Sequence, residues 1–127
     1  MPDDLPSTPR EAYQRIIDQL VDRTPGVTAK RIIAGDSLAD ADPDTAAAFT
    51  EFAASLSQSQ REVLAQLCIA QRHGAIHDTL AALSWWIDCG GVSLRYNDSD
   101  MPVDISGMGL HGDYVGRGQG WDWPDDD

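Results

Sequence analysis

The stretch Gly74–Gly91, GAIHDTLAALSWWIDCGG, constrains the fold more than any other part of the chain. Ile76, Leu80, Leu83 and Ile87 recur at steps of four, three and four, the spacing of one face of an α-helix. Ala82 and Trp86 widen that face, and only His77, Asp78, Thr79, Ser84 and Asp88 interrupt the apolar surface. A helix this apolar around its circumference is expected inside a protein, with other elements packed on more than one side. The predicted architecture is therefore mainly α: four or five helices in a small bundle around a central buried helix at about 76–89.

The preceding residues supply the other helices. Thr8 as N-cap, Pro9 at the first helical position and Glu11 as the far half of a capping box open a helix. Tyr13, Ile16, Ile17, Leu20 and Val21 form its inward face before Thr24-Pro25-Gly26 stops it. Val27–Ala34 reads as a short helix or a short strand, with the helix preferred and Gly35 ending it. After an acidic loop from Asp36 to Asp42, Asp42-Pro43 opens a further helix whose buried stripe should be Ala46, Phe49, Phe52, Ala53 and Leu56. Ser57–Gln60 repeats the capping-box pattern. The next helix, about 59–73, should bury Val63, Leu64, Leu67, Cys68 and Ile69, and His73-Gly74 then forms a corner or a kink.

Beyond Gly91 the hydrophobic period changes from helical to alternating. Val92, Leu94 and Tyr96 predict a strand, Asn97–Asp100 a turn, and 101–105 an edge strand limited by Pro102. Residues 107–127 hold six glycines within fourteen positions, so several positive φ angles and no regular element are expected. Met108, Leu110, Tyr114, Val115, Trp121 and Trp123 are too apolar for a free linker, which predicts an ordered tail lying on the body. The chain then reads as a single domain, 1–127: a helical body (7–91), a hairpin (92–105) and a Gly/Trp-rich tail (106–127). The tail pattern GLHGDYVGR followed by WDWP, after a helix with SWWIDC, resembles a family of small acidic bacterial proteins of no assigned function. That resemblance implies no activity, cofactor or catalytic residue.

Charge and composition exclude several classes of function. The 127 residues carry 9 basic and 21 acidic side chains, a net charge of −12, which disfavours nucleic acid and anionic lipid. No apolar run reaches the length of a membrane span, and the acidic, proline-bearing N-terminus does not resemble a secretory signal. A cytoplasmic location is expected, with Cys68 and Cys89 as small buried hydrophobes rather than a disulfide. From Asn97 onward eight aspartates face one arginine, Arg117. This is either a solvated acidic end or a docking surface for a basic partner.

Specific chemical sites are few. Gly107–Gly112 matches G-x-G-x-x-G by letter but lacks a βαβ setting, so no dinucleotide cofactor is expected. Asp40, Asp42, Asp44 and Glu51 have calcium-loop spacing, but Thr45 stands where the loop needs glycine, and helix-dipole complementation explains the carboxylates better. His73 and His77 are four apart, a metal-ligand spacing, and His111 with Asp113 could complete a metal or acid–base site. The competing reading is a structural hydrogen bond, His77 to Asp113 or His111 to Asp78. Trp121 and Trp123 could anchor a partner protein or pack back onto the body. Two functional expectations follow: an acidic, non-enzymatic interaction or regulatory module, or a small enzyme using the His/Asp cluster.

Overall fold

The computed structural model describes residues 4–36 and 42–126. It is mainly α, with five helices and one hairpin among the described residues. The elements are α1 (Pro9–Val21), α2 (Val27–Ala34), α3 (Pro43–Ser55), α4 (Gln58–Cys89), β1 (Arg95–Tyr96), β2 (Ser99–Asp100) and α5 (Leu110–Gly118). The chain forms two compact units: residues up to Asp22 together with those from Ala75 onward, and Arg23–Gly74.

Local capping sets the helix starts. The Thr8 hydroxyl accepts the Glu11 amide, while the Glu11 carboxylate reaches one residue further back than a capping box requires, to the Ser7 amide at 2.9 Å. Asp42 caps α3 through the Thr45 amide. Ser57 and Gln60 bond reciprocally, amide to side chain, at 2.9 and 3.1 Å, and launch α4. The expected interruption at His73-Gly74 does not occur: α4 runs unbroken for 32 residues. One interior glycine costs only about 1 kcal/mol, and the Leu-, Ala- and Gln-rich flanks outweigh it.

In the first unit, Tyr13 and Ile17 of α1 meet Leu80 of α4 and Leu110 and Tyr114 of α5. Met101, Val103, Ile105 and Trp123 pack around them. The expected packing of the Ile76–Cys89 segment on more than one side is reduced to one face. Ile76, Leu80, Leu83, Ser84 and Ile87 make one inward face, but Trp85 and Trp86 are 57% and 53% exposed, and Ala82 and Cys89 face solvent. The hairpin is also shorter than 92–105. Asn97 and Asp98 both take positive φ, the signature of a two-residue type I′ turn, and pair Tyr96 with Ser99 and Arg95 with Asp100. Segment 101–105 is not a strand, because Pro102 lacks a donor and Asp104 turns at φ 63°.

The tail contains a helix that its glycines conceal. Leu110, Asp113 and Tyr114 fall at helical spacing on the buried side of α5. Gly112 and Gly116 are needed there for space: a Cβ at Gly112 would lie 2.5 Å from the Met108 Cβ, and one at Gly116 would press on the Trp121 ring. Positive φ angles do occur, at Gly107, Gly109 and Gly120.

In the second unit, Ala29 and Ile32 of α2 pack with Ala65 and Ile69 of α4, flanked by Ile33, Leu64 and Cys68. The stripe on α4 is therefore turned from the expected one, and Val63 and Leu67 are exposed. On α3 only Ala53 is buried, and Phe49 and Phe52 remain about half exposed. Cys68 is half-buried and Cys89, against expectation, exposed; both are free thiols. Most of the acidic loop, with Asp40 of the calcium pattern, lies outside the described residues.

Candidate functional site

The best-organised polar centre lies in the first unit, around Asp113. Its position in the first turn of α5 points the carboxylate at the loop 104–106. The side chain is fully buried. Oδ2 accepts the Tyr13 hydroxyl and the Ile105 amide (2.8 Å), and Oδ1 accepts the Ser106 amide (2.7 Å). Burial, then the hydrogen bond to Asp113, pushes the Tyr13 phenol well above its usual range, so it stays protonated as a donor. Asp104 secures the loop from the other side, its Oδ1 accepting the Gly109 amide at 2.5 Å. Each lone pair in use holds backbone or a core phenol.

The histidines are arranged differently from either sequence reading. His77 of α4 and His111 of α5 meet edge to face, centroids 5.4 Å apart and planes at 85°. His77 Nδ1 lies 3.2 Å from Asp78 Oδ1, its chain neighbour, and Asp113 bonds to Tyr13. The expected His77–Asp113 and His111–Asp78 bonds are thus replaced by these. His111 Nδ1 is buried without a hydrogen-bond partner among the described residues, beside Gly109 and Ser84. Ser84, one face with His77 on α4, accepts the Leu110 amide at 3.3 Å and so fixes the start of α5. His73 follows Ala65 and Ile69 at four-residue steps, shares their buried face, and belongs to the other unit. Among the described residues no group of three or more His, Cys, Asp or Glu is placed to hold a metal ion.

The tail tryptophans fold back onto the body. Trp123 meets Tyr13 edge to face at 5.9 Å and donates its Nε1 hydrogen to Asp18 at 3.2 Å. Arg117 completes the cluster: its Nε donates to Asp18 (2.7 Å), its Nη1 to the Trp121 carbonyl (2.6 Å), and its guanidinium lies 5.2 Å from the Trp123 ring centre. Trp121 and Trp123 stand 5.3 Å apart at 63°. Arg10 fastens the end of the tail through the Pro124 carbonyl and Asp126.

Sequence reasoning did not single out Ser84, Asp104 or the Tyr13 hydroxyl as polar partners. Their bonds join residues far apart in the chain, and no local pattern announces them. Adjacent helix positions lie about 100° apart, so the Trp85–Trp86 doublet predicts one ring in the core and the other covered by the tail or by a partner. The doublet stands instead on the outer face of α4, rings 5.1 Å apart and perpendicular (89°).

A family model described as "Family of unknown function (DUF6547)" matches residues 6–125. The chain belongs to that family. No curated protein and no solved structure matches it. Among the described residues no helix is long and apolar enough to cross a membrane.

Proposed function

We propose that this protein is a non-enzymatic, acidic, cytoplasmic interaction module that recognises a basic protein partner. One observation carries the reading: the charge is concentrated in the first unit, and the cations of that unit are internally engaged. The unit contains fifteen acidic residues against four arginines and no lysine, whereas Arg23–Gly74 is nearly balanced, six acids to five bases. Arg10 is bound to Asp126 and Pro124, Arg15 to Glu11 and Asp4, Arg95 to Asp100 and Asp98, and Arg117 to Asp18 and Trp121. Exposed carboxylates such as Asp88, Asp122 and Asp125 form no ion pair within the described chain. A surface of one sign steers and retains a partner of the opposite sign.

The alternative, a metal-dependent or acid–base enzyme using His73, His77, His111 and Asp113, has weaker support. The Asp113 oxygens already hold three donors, and the histidine rings stack on each other rather than converge with a carboxylate on an open cavity.

The test is binding of short peptides to the whole protein, measured by calorimetry at about 50 mM and about 500 mM salt, where screening lengths differ severalfold. An arginine-rich peptide should bind at low salt and lose most of its affinity at high salt. Equal behaviour of arginine-rich and uncharged peptides would overturn the proposal.

A further inference from the structure

We infer that the Trp85–Trp86 corner on the outer face of α4 is where this protein seats an arginine side chain of its basic partner. The inference rests on the acidic-module reading and assigns it a docking point.

Two adjacent tryptophans, each more than half exposed, form an unusual surface on a helix. The Trp86 indole lies along Gly90, one turn toward the C-terminus, where a Cβ would collide with its Cε3. The Trp85 ring stands perpendicular to it, centroids 5.1 Å apart. Asp88 is the i+3 neighbour of Trp85, and Asp78, which His77 Nδ1 approaches at 3.2 Å, lies two turns before Trp85 on the same side of the helix. Both carboxylates are exposed. After Arg72, α4 carries no lysine or arginine, and Arg95, the next cation along the chain, is held by Asp100 and the Asp98 carbonyl. The exposed aromatic pair thus stands on a stretch of helix that carries carboxylates and no lysine or arginine.

An uncharged apolar partner would gain the ring area but would bring nothing to the two aspartates. A guanidinium satisfies both, stacking on an indole while donating to a carboxylate. The same protein contains a worked instance. The ring of Trp123, 5.3 Å from that of Trp121, receives the guanidinium of Arg117, which is oriented by Asp18 and the Trp121 carbonyl. Trp85 and Trp86, 5.1 Å apart and flanked by Asp78 and Asp88, repeat those ingredients on a face open to another molecule. Arginine fits better than lysine, because its planar, weakly hydrated cation loses less on leaving water.

The experiment titrates the isotope-labelled full chain with an arginine-rich nonapeptide, with citrulline- and lysine-substituted versions as comparison, following the four indole N–H signals. Calorimetry is repeated on Trp85→Ala, Trp86→Ala, Trp85→Phe and Asp88→Asn. Expected are shifts confined to the Trp85 and Trp86 signals and roughly tenfold weaker binding for either alanine variant at unchanged Tm. Partial retention by Trp85→Phe, a severalfold loss with lysine and no binding with citrulline complete the pattern. Binding that is salt-sensitive yet indifferent to both alanine substitutions overturns the inference and leaves the acidic-module reading standing. Absence of binding at low salt defeats both. A change of oligomeric state in Trp85→Ala or Trp86→Ala, read by size exclusion, assigns the corner to a second copy of this chain and overturns the inference.

Discussion

Replacing Asp113 by asparagine changes one atom and leaves the volume of the site intact. The amide keeps a single acceptor oxygen. Its best orientation retains that oxygen at the Oδ2 position, facing the Tyr13 hydroxyl and the Ile105 amide, and turns the NH2 group toward the Ser106 amide. Two donors then oppose each other in a site with no solvent access. A buried donor left unpaired costs about 1–3 kcal/mol, and losing charge assistance in the other two bonds removes about 1 kcal/mol more. The sum is about 2–4 kcal/mol, a large share of a domain's usual 5–15 kcal/mol. For a chain of this size that lowers Tm by roughly 6–16 °C. All four tryptophans lie in the first unit, so indole fluorescence during urea unfolding reports that unit selectively. A measured loss below about 1 kcal/mol would show that Asp113 does not organise the 104–106 loop, and the account of the site would have to be abandoned.

Tyr13→Phe tests the same bond through pH. The folded-state phenol titrates above its unfolded value of about 10, so below that pH the contribution is complete, and above it the unfolded chain ionises first and stability falls. The wild type should therefore lose up to about 1.4 kcal/mol per pH unit more than Tyr13→Phe above about pH 10, a difference seen in paired urea titrations. Gly74→Ala should stabilise by about 0.5–1 kcal/mol in helix-monitored unfolding, because α4 is continuous and nothing lies within 4 Å of the added methyl; destabilisation would mean a corner instead. Gly109→Ala should cost at least about 2 kcal/mol, since φ is +85° and the methyl would meet the His111 ring at 2.7 Å; a neutral result would contradict the loop geometry. Ser57→Ala should cost about 1 kcal/mol by loss of the cap at the start of α4.

Features governed by neighbours in the chain were legible. Thr8, Asp42 and Ser57 cap the helices that their sequences announce, and Gly35 ends α2 at φ 76°. Which apolar face turns inward was less so. On α4 the residues 63–69 are apolar at nearly every angle, so periodicity offered two stripes, and the packed one was decided by Ala29 and Ile32 of α2. The same ambiguity concealed the exposure of Trp85 and Trp86: a run apolar all round is evidence for burial only when enough other elements exist to cover it. Helix α5 was missed for the converse reason. Its glycines lower helix propensity, yet tertiary contacts need them, because Met108 and Trp121 occupy the space where side chains would stand.

The polar residues show why a list of titratable side chains overstates chemistry. Asp113 and His111 lie two residues apart, about 200° around a helix, so α5 sends one into the 104–106 loop and the other against His77. Asp18, Asp104 and Asp113 accept hydrogen bonds from within the chain, from an arginine, an indole, a phenol or backbone amides. Asp78 and Asp88 sit on an exposed helix face beside unburied tryptophans. Solubility alone would explain the carboxylates, but it would favour covering the indoles. Keeping two large aromatic rings in water costs apolar burial of about 1.5–3 kcal/mol for each fully buried side chain of that class, so their exposure next to anionic groups is better accounted for by a partner that covers them.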